Sequence, residues 1–146
     1  MVWEVIAMVE IIAGEKGKGK TKHLLEKVNS AVSQSNGNIV YLDKNTKHMY
    51  ELKNQIRLIN VTDYSIENSD EFIGFICGII SQDHDLEELY LDSFLTISKM
   101  KDEDLAHTID RLSFISEKYQ VNMVLSVSKN EADLPENAKS KIAISL

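Results

Sequence analysis

Apolar residues recur along this chain in short blocks of two kinds, and their spacing predicts a regular alternation of strand and helix. Val9 to Ala13 is an apolar run of strand length, and behind it Leu24, Leu25, Val28 and Val32 return at helical spacing. That helix, starting at about Lys20, is expected to end at Ser33-Gln34-Ser35-Asn36-Gly37-Asn38, a cluster whose composition stops a helix and turns the chain. Further strands are predicted over Asn38 to Leu42, Arg57 to Val61, Glu88 to Leu91, Val121 to Val127 and Lys141 to Leu146. A short helix is predicted over Thr46 to Gln55, with Met49, Leu52 and Ile56 on one side. Another runs over Phe72 to Gln82 behind a Ser69-Asp70-Glu71 start, and a third over Lys101 to Tyr119, with Leu105, Ile109 and Leu112 on one face. Lys129 to Asn137, which holds the single proline, reads as a polar loop.

Strands alternating with helices argue for a parallel sheet covered on both faces. The expected fold is therefore α/β: a three-layer α/β/α sandwich around a mainly parallel sheet of about five strands. A length of 146 residues suits one domain, taken as 1–146. The Phe72 to Gln82 helix is apolar nearly all round, which suits a place inside the core. Within it, Gly74 and Gly78 have the spacing of small residues at close helix contacts, and close packing in the core is expected of them. Residues 1–7 form either an extra edge strand or a leader ahead of a natural start at Met8.

Composition narrows the function. The formal net charge of -7 argues against nucleic acid as the main partner, because Lys and Arg must neutralise phosphates in such binding. The longest apolar run, Phe72 to Ile80, falls far short of the roughly 18 residues a membrane span needs. A single cysteine, Cys77, has no internal partner and reads as a small core residue of a cytoplasmic protein. His23, His48, His84 and His107 show no paired metal-ligand spacing, and no G-x-S-x-G elbow is present.

One stretch carries strong chemistry. Gly14-Glu15-Lys16-Gly17-Lys18-Gly19-Lys20-Thr21 satisfies G-x-x-x-x-G-K-[ST] at every fixed position, between a predicted strand and a predicted helix. The glycines allow backbone conformations that turn successive N-H groups inward, and the helix start adds its positive end. Lys20 is placed to reach β- and γ-phosphates, and the Thr21 hydroxyl to meet Mg²⁺. The nucleotide-binding set is then Gly14, Glu15, Lys16, Gly17, Lys18, Gly19, Lys20, Thr21 and Lys22, with Lys16 and Lys18 either solvated or in extra phosphate contact.

This segment resembles the Walker A motif of P-loop NTPases. It is less like the ParA and MinD variant, which has lysine where Glu15 stands, while corrinoid adenosyltransferases share a G-K-G-K-T run like Gly17 to Thr21. Asp92, closing Leu89-Tyr90-Leu91-Asp92, resembles the Walker B aspartate, since a carboxylate at a strand tip beside the loop can hold Mg²⁺ with Thr21. The order Asp92-Ser93, helix, strand ending at Ser126 is similar to RecA-like ATPases. That resemblance implies that the Val121 to Val127 strand lies between the loop strand and the Asp92 strand, with Ser126 and Ser128 as γ-phosphate sensor candidates.

The departures concern the water-activating group. RecA-like hydrolases carry a glutamate near the end of the strand after the first helix, where this chain has Asp43-Lys44-Asn45; relatives that place it after the Walker B aspartate have it where Ser93 stands. Asp43 is the one substitute, beside a helix-capping role. Arg57 and Arg111 lack the context of an arginine finger, and Lys139 and Lys141 are the remaining cations near the last strand. Three readings stay open: an ATP- or GTP-binding, Mg²⁺-dependent protein with slow or partner-dependent hydrolysis using Lys20, Asp92 and Asp43; a non-hydrolysing nucleotide-responsive interaction protein; and a phosphoryl or adenosyl transferase. A homo-oligomer or a protein partner belongs to the first two.

Overall fold

A computed structural model describes residues 7–146, and the expectation for the leader falls almost wholly outside them. Among the described residues six strands form one parallel sheet: β1 (Val9–Ala13), β2 (Asn38–Asp43), β3 (Ile56–Asn60), β4 (Leu86–Leu91), β5 (Asn122–Val127) and β6 (Ile142–Ser145). Their order across the sheet is β3-β2-β4-β5-β1-β6. The sheet thus has one strand more than the five expected. Short β3 and β6 close its two edges, each paired on one side only.

Alternation along the inner strands explains how the sheet is buried. Ile11, Val40, Leu42, Leu89, Leu91, Met123 and Leu125 join one apolar cluster with Phe72 and Ile76 of α2 (Ser69–Ser81) and Ile109 and Leu112 of α4 (Leu105–Tyr119). Their neighbours Ile12, Ile39, Tyr41, Tyr90 and Val124 join a second cluster with Leu24, Leu25 and Val28 of α1 (Lys20–Ala31). Successive strand residues face opposite ways, so a strand apolar at every position must be covered on both sides. Each such side chain, once buried, contributes roughly 1.5–3 kcal/mol.

Helix boundaries differ from the predicted ones for local reasons. The α2 helix starts earlier than expected because Asn68, outside the predicted cap, accepts the Glu71 N-H at 2.9 Å. It buries Phe72, Ile73, Ile76, Ile79 and Ile80, whereas Gly74 and Gly78 lie exposed with open space where a Cβ would project. The glycines therefore do not mark a close contact, and the outer side of the helix is made of these glycines with half-buried Phe75 and Cys77. Cys77 is half-buried against the first cluster. Over Thr46 to Gln55 the helix is reduced to a single 3-10 turn, Met49–Glu51, because Leu52 is extended (φ -102°, ψ 136°) and Ile56 already belongs to β3. Similarly, Lys101 leads into a 3-10 turn, Asp102–Asp104, before α4 begins. Two short elements, α3 (Phe94–Ile97) and α5 (Glu136–Lys139), complete the chain. The second begins at the end of the segment expected to be loop, Lys129 to Asn137, and continues past it.

Strand register positions the chemistry. Leu42 of β2 pairs with Leu91 of β4, so the residues that follow, Asp43 and Asp92, emerge side by side at the carboxyl edge of the sheet. On the other side of β4, β5 runs between it and β1, in the position that the RecA-like resemblance implies. No helix among the described residues is long and apolar enough to cross a membrane.

Candidate functional site

The loop after β1 turns through two glycines with left-handed backbone, Gly17 (φ 87°) and Gly19 (φ 89°). Nothing lies within 4 Å of a Cβ added at either, so glycine is required there by backbone conformation and not by space. Gly14 is the reverse case: an added Cβ would meet Leu146 at 3.0 Å, and its N-H donates to the Val127 carbonyl at 3.3 Å. Glu15 to Gly19 lie exposed as the rim of the loop. Gly19 is also the N-cap of α1, which has no side-chain cap and no acidic residue in its first turn. The N-H groups at this helix start therefore face outward without an internal anion, the arrangement that suits a bound phosphate.

Lys20 is buried at the first position of α1, and its Nζ donates to the Glu15 carbonyl at 2.9 Å. Burial pulls its ammonium below the ordinary lysine range, an effect that the Asp92 charge partly offsets. The Glu15 side chain accepts from Asn130 Nδ2 at 2.8 Å, tying the rim to the segment after β5.

Thr21 and Asp92 meet. The Thr21 hydroxyl lies 3.0 Å from Asp92 Oδ2 and 3.2 Å from Oδ1, joining residues 71 apart in sequence. The Asp92 carboxylate is almost wholly buried and gathers three more donors: Tyr41 OH to Oδ2 at 2.9 Å, and Ser126 Oγ at 2.7 Å and the Ser93 N-H at 2.8 Å to Oδ1. Ser126 Oγ accepts the same Ser93 N-H at 2.8 Å. To deliver that N-H, Ser93 takes a left-handed backbone (φ 55°), uncommon for a residue with a side chain. Thr21 and Asp92 offer hard oxygen donors, a set that fits Mg²⁺. Among the described residues no group of three or more His, Cys, Asp or Glu could hold a metal.

Asp43 stands beside this network. Its Oδ1 accepts the Lys44 N-H at 2.7 Å, while its buried Oδ2 has no hydrogen-bond partner among the described residues. Burial pushes its carboxyl above the usual carboxylate range, and the Asp92 charge adds to this. The Lys44 N-H and the charges of His48 and Lys44 pull the other way. His48 itself bonds Glu51 across the turn that follows β2.

Of the residues singled out from the sequence, the fold brings together Lys20, Thr21, Asp92, Asp43 and Ser126. Ser126 is buried and bonded to Asp92, and Ser128 is exposed just past the end of β5. Lys16, Lys18 and Lys22 are exposed. Arg111 is engaged with Asp70 at 2.6 Å and Lys139 with Glu136 at 3.4 Å, and Arg57 lies exposed on the edge strand β3. Sequence reasoning passed over Tyr41. Its one signal was a polar tip on an aromatic inside an apolar strand, since a buried phenol needs an acceptor.

A cavity of about 630 Å³ flanks the loop and runs along α1, lined by Thr21, Lys22, Leu25, Glu26, Asn29, Ser30, His48 and Glu51. It shares Thr21 with the end of the glycine loop motif. No model of a known protein family matches this chain, and no curated protein matches it.

Proposed function

We propose that the protein is a P-loop nucleotide-binding domain of three-layer α/β/α form, resembling the RecA-like ATPases, that binds ATP or GTP with Mg²⁺ and hydrolyses it slowly. The observation that carries this is the Thr21 hydroxyl 3.0 Å from the Asp92 carboxylate, at the mouth of a glycine loop opening onto an uncapped helix start. A chance string match would have no reason to bring a carboxylate from 71 residues away to that threonine. The loop formed by Gly14 to Lys22 receives the phosphates through its unpaired amides, and Lys20 exchanges its Glu15 carbonyl for phosphate oxygens. Thr21 and Asp92 hold Mg²⁺, whose positive charge neutralises the phosphates when it is bound.

Asp43 is the residue for the attacking water. Its free Oδ2 accepts a proton as the water oxygen bonds the γ-phosphorus and the bridging P-O bond to the diphosphate breaks. An aspartate is one methylene shorter than glutamate, and no cation among the named residues plays the arginine finger, so slow turnover is expected. Partner binding or self-assembly would supply what is missing.

The cavity beside Thr21 favours a second reading, transfer of a phosphoryl or adenosyl group to a small acceptor seated there. A melting scan with ATP, GTP and their diphosphates, with and without Mg²⁺, tests binding. At a hundred times the dissociation constant the nucleotide should stabilise the fold by about 2.7 kcal/mol. Steady phosphate release that disappears in Lys20→Ala supports the hydrolase. Binding without release supports a nucleotide-responsive interaction protein, and turnover that requires an added acceptor supports the transferase. No stabilisation by any nucleotide would end the proposal.

A further inference from the structure

We infer that Tyr41 is a positioning residue: its buried hydroxyl fixes the orientation of the Asp92 carboxylate and so sets how tightly the site takes the divalent cation that accompanies a nucleoside triphosphate. The inference rests on the nucleotide reading above and goes beyond it, because nothing in the loop pattern involves the strand after the first helix in holding the cation.

Three geometric facts carry it. First, the donors on Asp92 arrive from separate elements and divide between its oxygens: Ser126 of β5 and the Ser93 N-H on Oδ1, Tyr41 of β2 on Oδ2. Among the described residues Thr21 is the only other donor on Oδ2, and its oxygen is the one that turns to the cation in a loaded site. Tyr41 then remains, among the described residues, as the donor that prevents the carboxylate plane from rotating about its Oδ1 contacts. Second, the phenol cannot swing away. Tyr41 is fully buried, and its ring stacks on Tyr90 with centroids 6.4 Å apart and planes 11° apart. Third, the partner of the hydroxyl at 2.9 Å is a carboxylate oxygen, which can only accept, so the phenol is the donor. Groups that orient a metal ligand in this way typically change metal affinity 10- to 100-fold when removed.

Tyr90 provides an internal control. It is the stacked neighbour of Tyr41 and equally buried, but its hydroxyl donates to Glu88 at 2.8 Å and not to Asp92. The experiment measures ATP affinity with and without Mg²⁺ for the parent, Tyr41→Phe and Tyr90→Phe. The gain in affinity due to Mg²⁺ should fall about 10-fold in Tyr41→Phe and keep its parental value in Tyr90→Phe. A gain within two-fold of the parent's in Tyr41→Phe overturns the inference, as does an equal loss with and without the metal, which would mark Tyr41 as a packing residue only. A parent that binds ATP with no gain from Mg²⁺, or does not bind it, overturns the nucleotide reading itself. Should Tyr41→Phe fail to fold, the parent with ¹³C-labelled tyrosine decides. Mg²⁺ with ATP should move the Tyr41 ζ-carbon resonance and leave that of Tyr90 in place; an unmoved Tyr41 signal overturns the inference.

Discussion

The Lys20 ammonium donates to the Glu15 carbonyl at 2.9 Å, so the glycine loop is closed on itself by the group that, on the proposed reading, a phosphate would claim. A buried cation satisfied by one carbonyl and a nearby carboxylate is held in place at a desolvation cost, visible as the downward pull on its pKa. Replacing it with an apolar chain of similar length removes that cost and, on the proposed reading, the phosphate contact as well. In Lys20→Met, the ligand-free protein should melt within about 3 °C of the parent or above it, roughly 1 kcal/mol for a domain of this size. The nucleotide-dependent rise in melting temperature should vanish. Thermal scans with and without Mg²⁺ and ATP check both halves.

Two glycines test whether conformation or space governs the loop. At Gly19 the backbone is left-handed and the surroundings are open, so Gly19→Ala should cost about 1–2 kcal/mol through strain alone and weaken nucleotide binding at the start of α1. At Gly37, far from the site, an added Cβ would come within 2.2 Å of the Asp85 carbonyl where the turn into β2 crosses the start of β4. Backbone cannot yield cheaply, so Gly37→Ala should destabilise more than Gly19→Ala while folded protein keeps the parental nucleotide affinity. Denaturant midpoints paired with binding isotherms separate the two.

The loop and the Asp92 strand tip were legible because each is a local string with a local reason: glycines where the backbone turns, a carboxylate where an apolar strand ends. The strand alternation was legible for the same reason. What the sequence could not show is which side chains meet across strands. Tyr41 lies 51 residues from Asp92, and only the pairing of β2 with β4 brings its hydroxyl to the carboxylate. Ser126 read as a group facing the phosphate, yet the turn at Ser93 and the buried Asp92 take up its hydrogen-bonding capacity. The helix expected around Met49 failed because Leu52 is buried as an extended residue after the 3-10 turn and Ile56 as the first residue of β3, so a spacing of three and four arose without a shared helix face.

In the proposed site, Thr21 separates metal holding from phosphate holding. Thr21→Val keeps the shape and removes the hydroxyl, while Asp92 retains Tyr41, Ser126 and the Ser93 N-H as donors, so the fold should lose no more than about 1 kcal/mol. Mg²⁺ should then add little to nucleotide binding, whereas metal-free binding through the loop amides persists. Titrations across Mg²⁺ concentration measure this; an unchanged Mg²⁺ dependence would remove Thr21 from the cation site.

Asp43 links stability to pH with a definite sign. Its folded pKa is raised, so between the ordinary carboxylate range and the raised value the folded state holds a proton that the unfolded chain has released. Stability contributed by the protonated form is complete below that window and is lost as pH rises through it. At neutral pH the carboxylate is left buried with Oδ2 unpartnered beside Asp92, and an unsatisfied buried polar atom costs about 1–3 kcal/mol. Asp43→Asn removes the charge at nearly constant shape. It should melt a few degrees above the parent at pH 7, roughly 2–4 °C per kcal/mol for a domain of this size. The gap should narrow as pH falls through the window between the raised value and the ordinary carboxylate range, as the folded parent takes up its proton, and phosphate release should drop at least 10-fold. A residue that lowers stability where it stands and raises turnover there is what a catalytic base looks like thermodynamically. Melting curves for both proteins from pH 4 to pH 8, alongside release rates, decide it: an Asp43→Asn variant that melts below the parent at pH 7, with turnover intact, would make Asp43 a structural cap for the turn after β2.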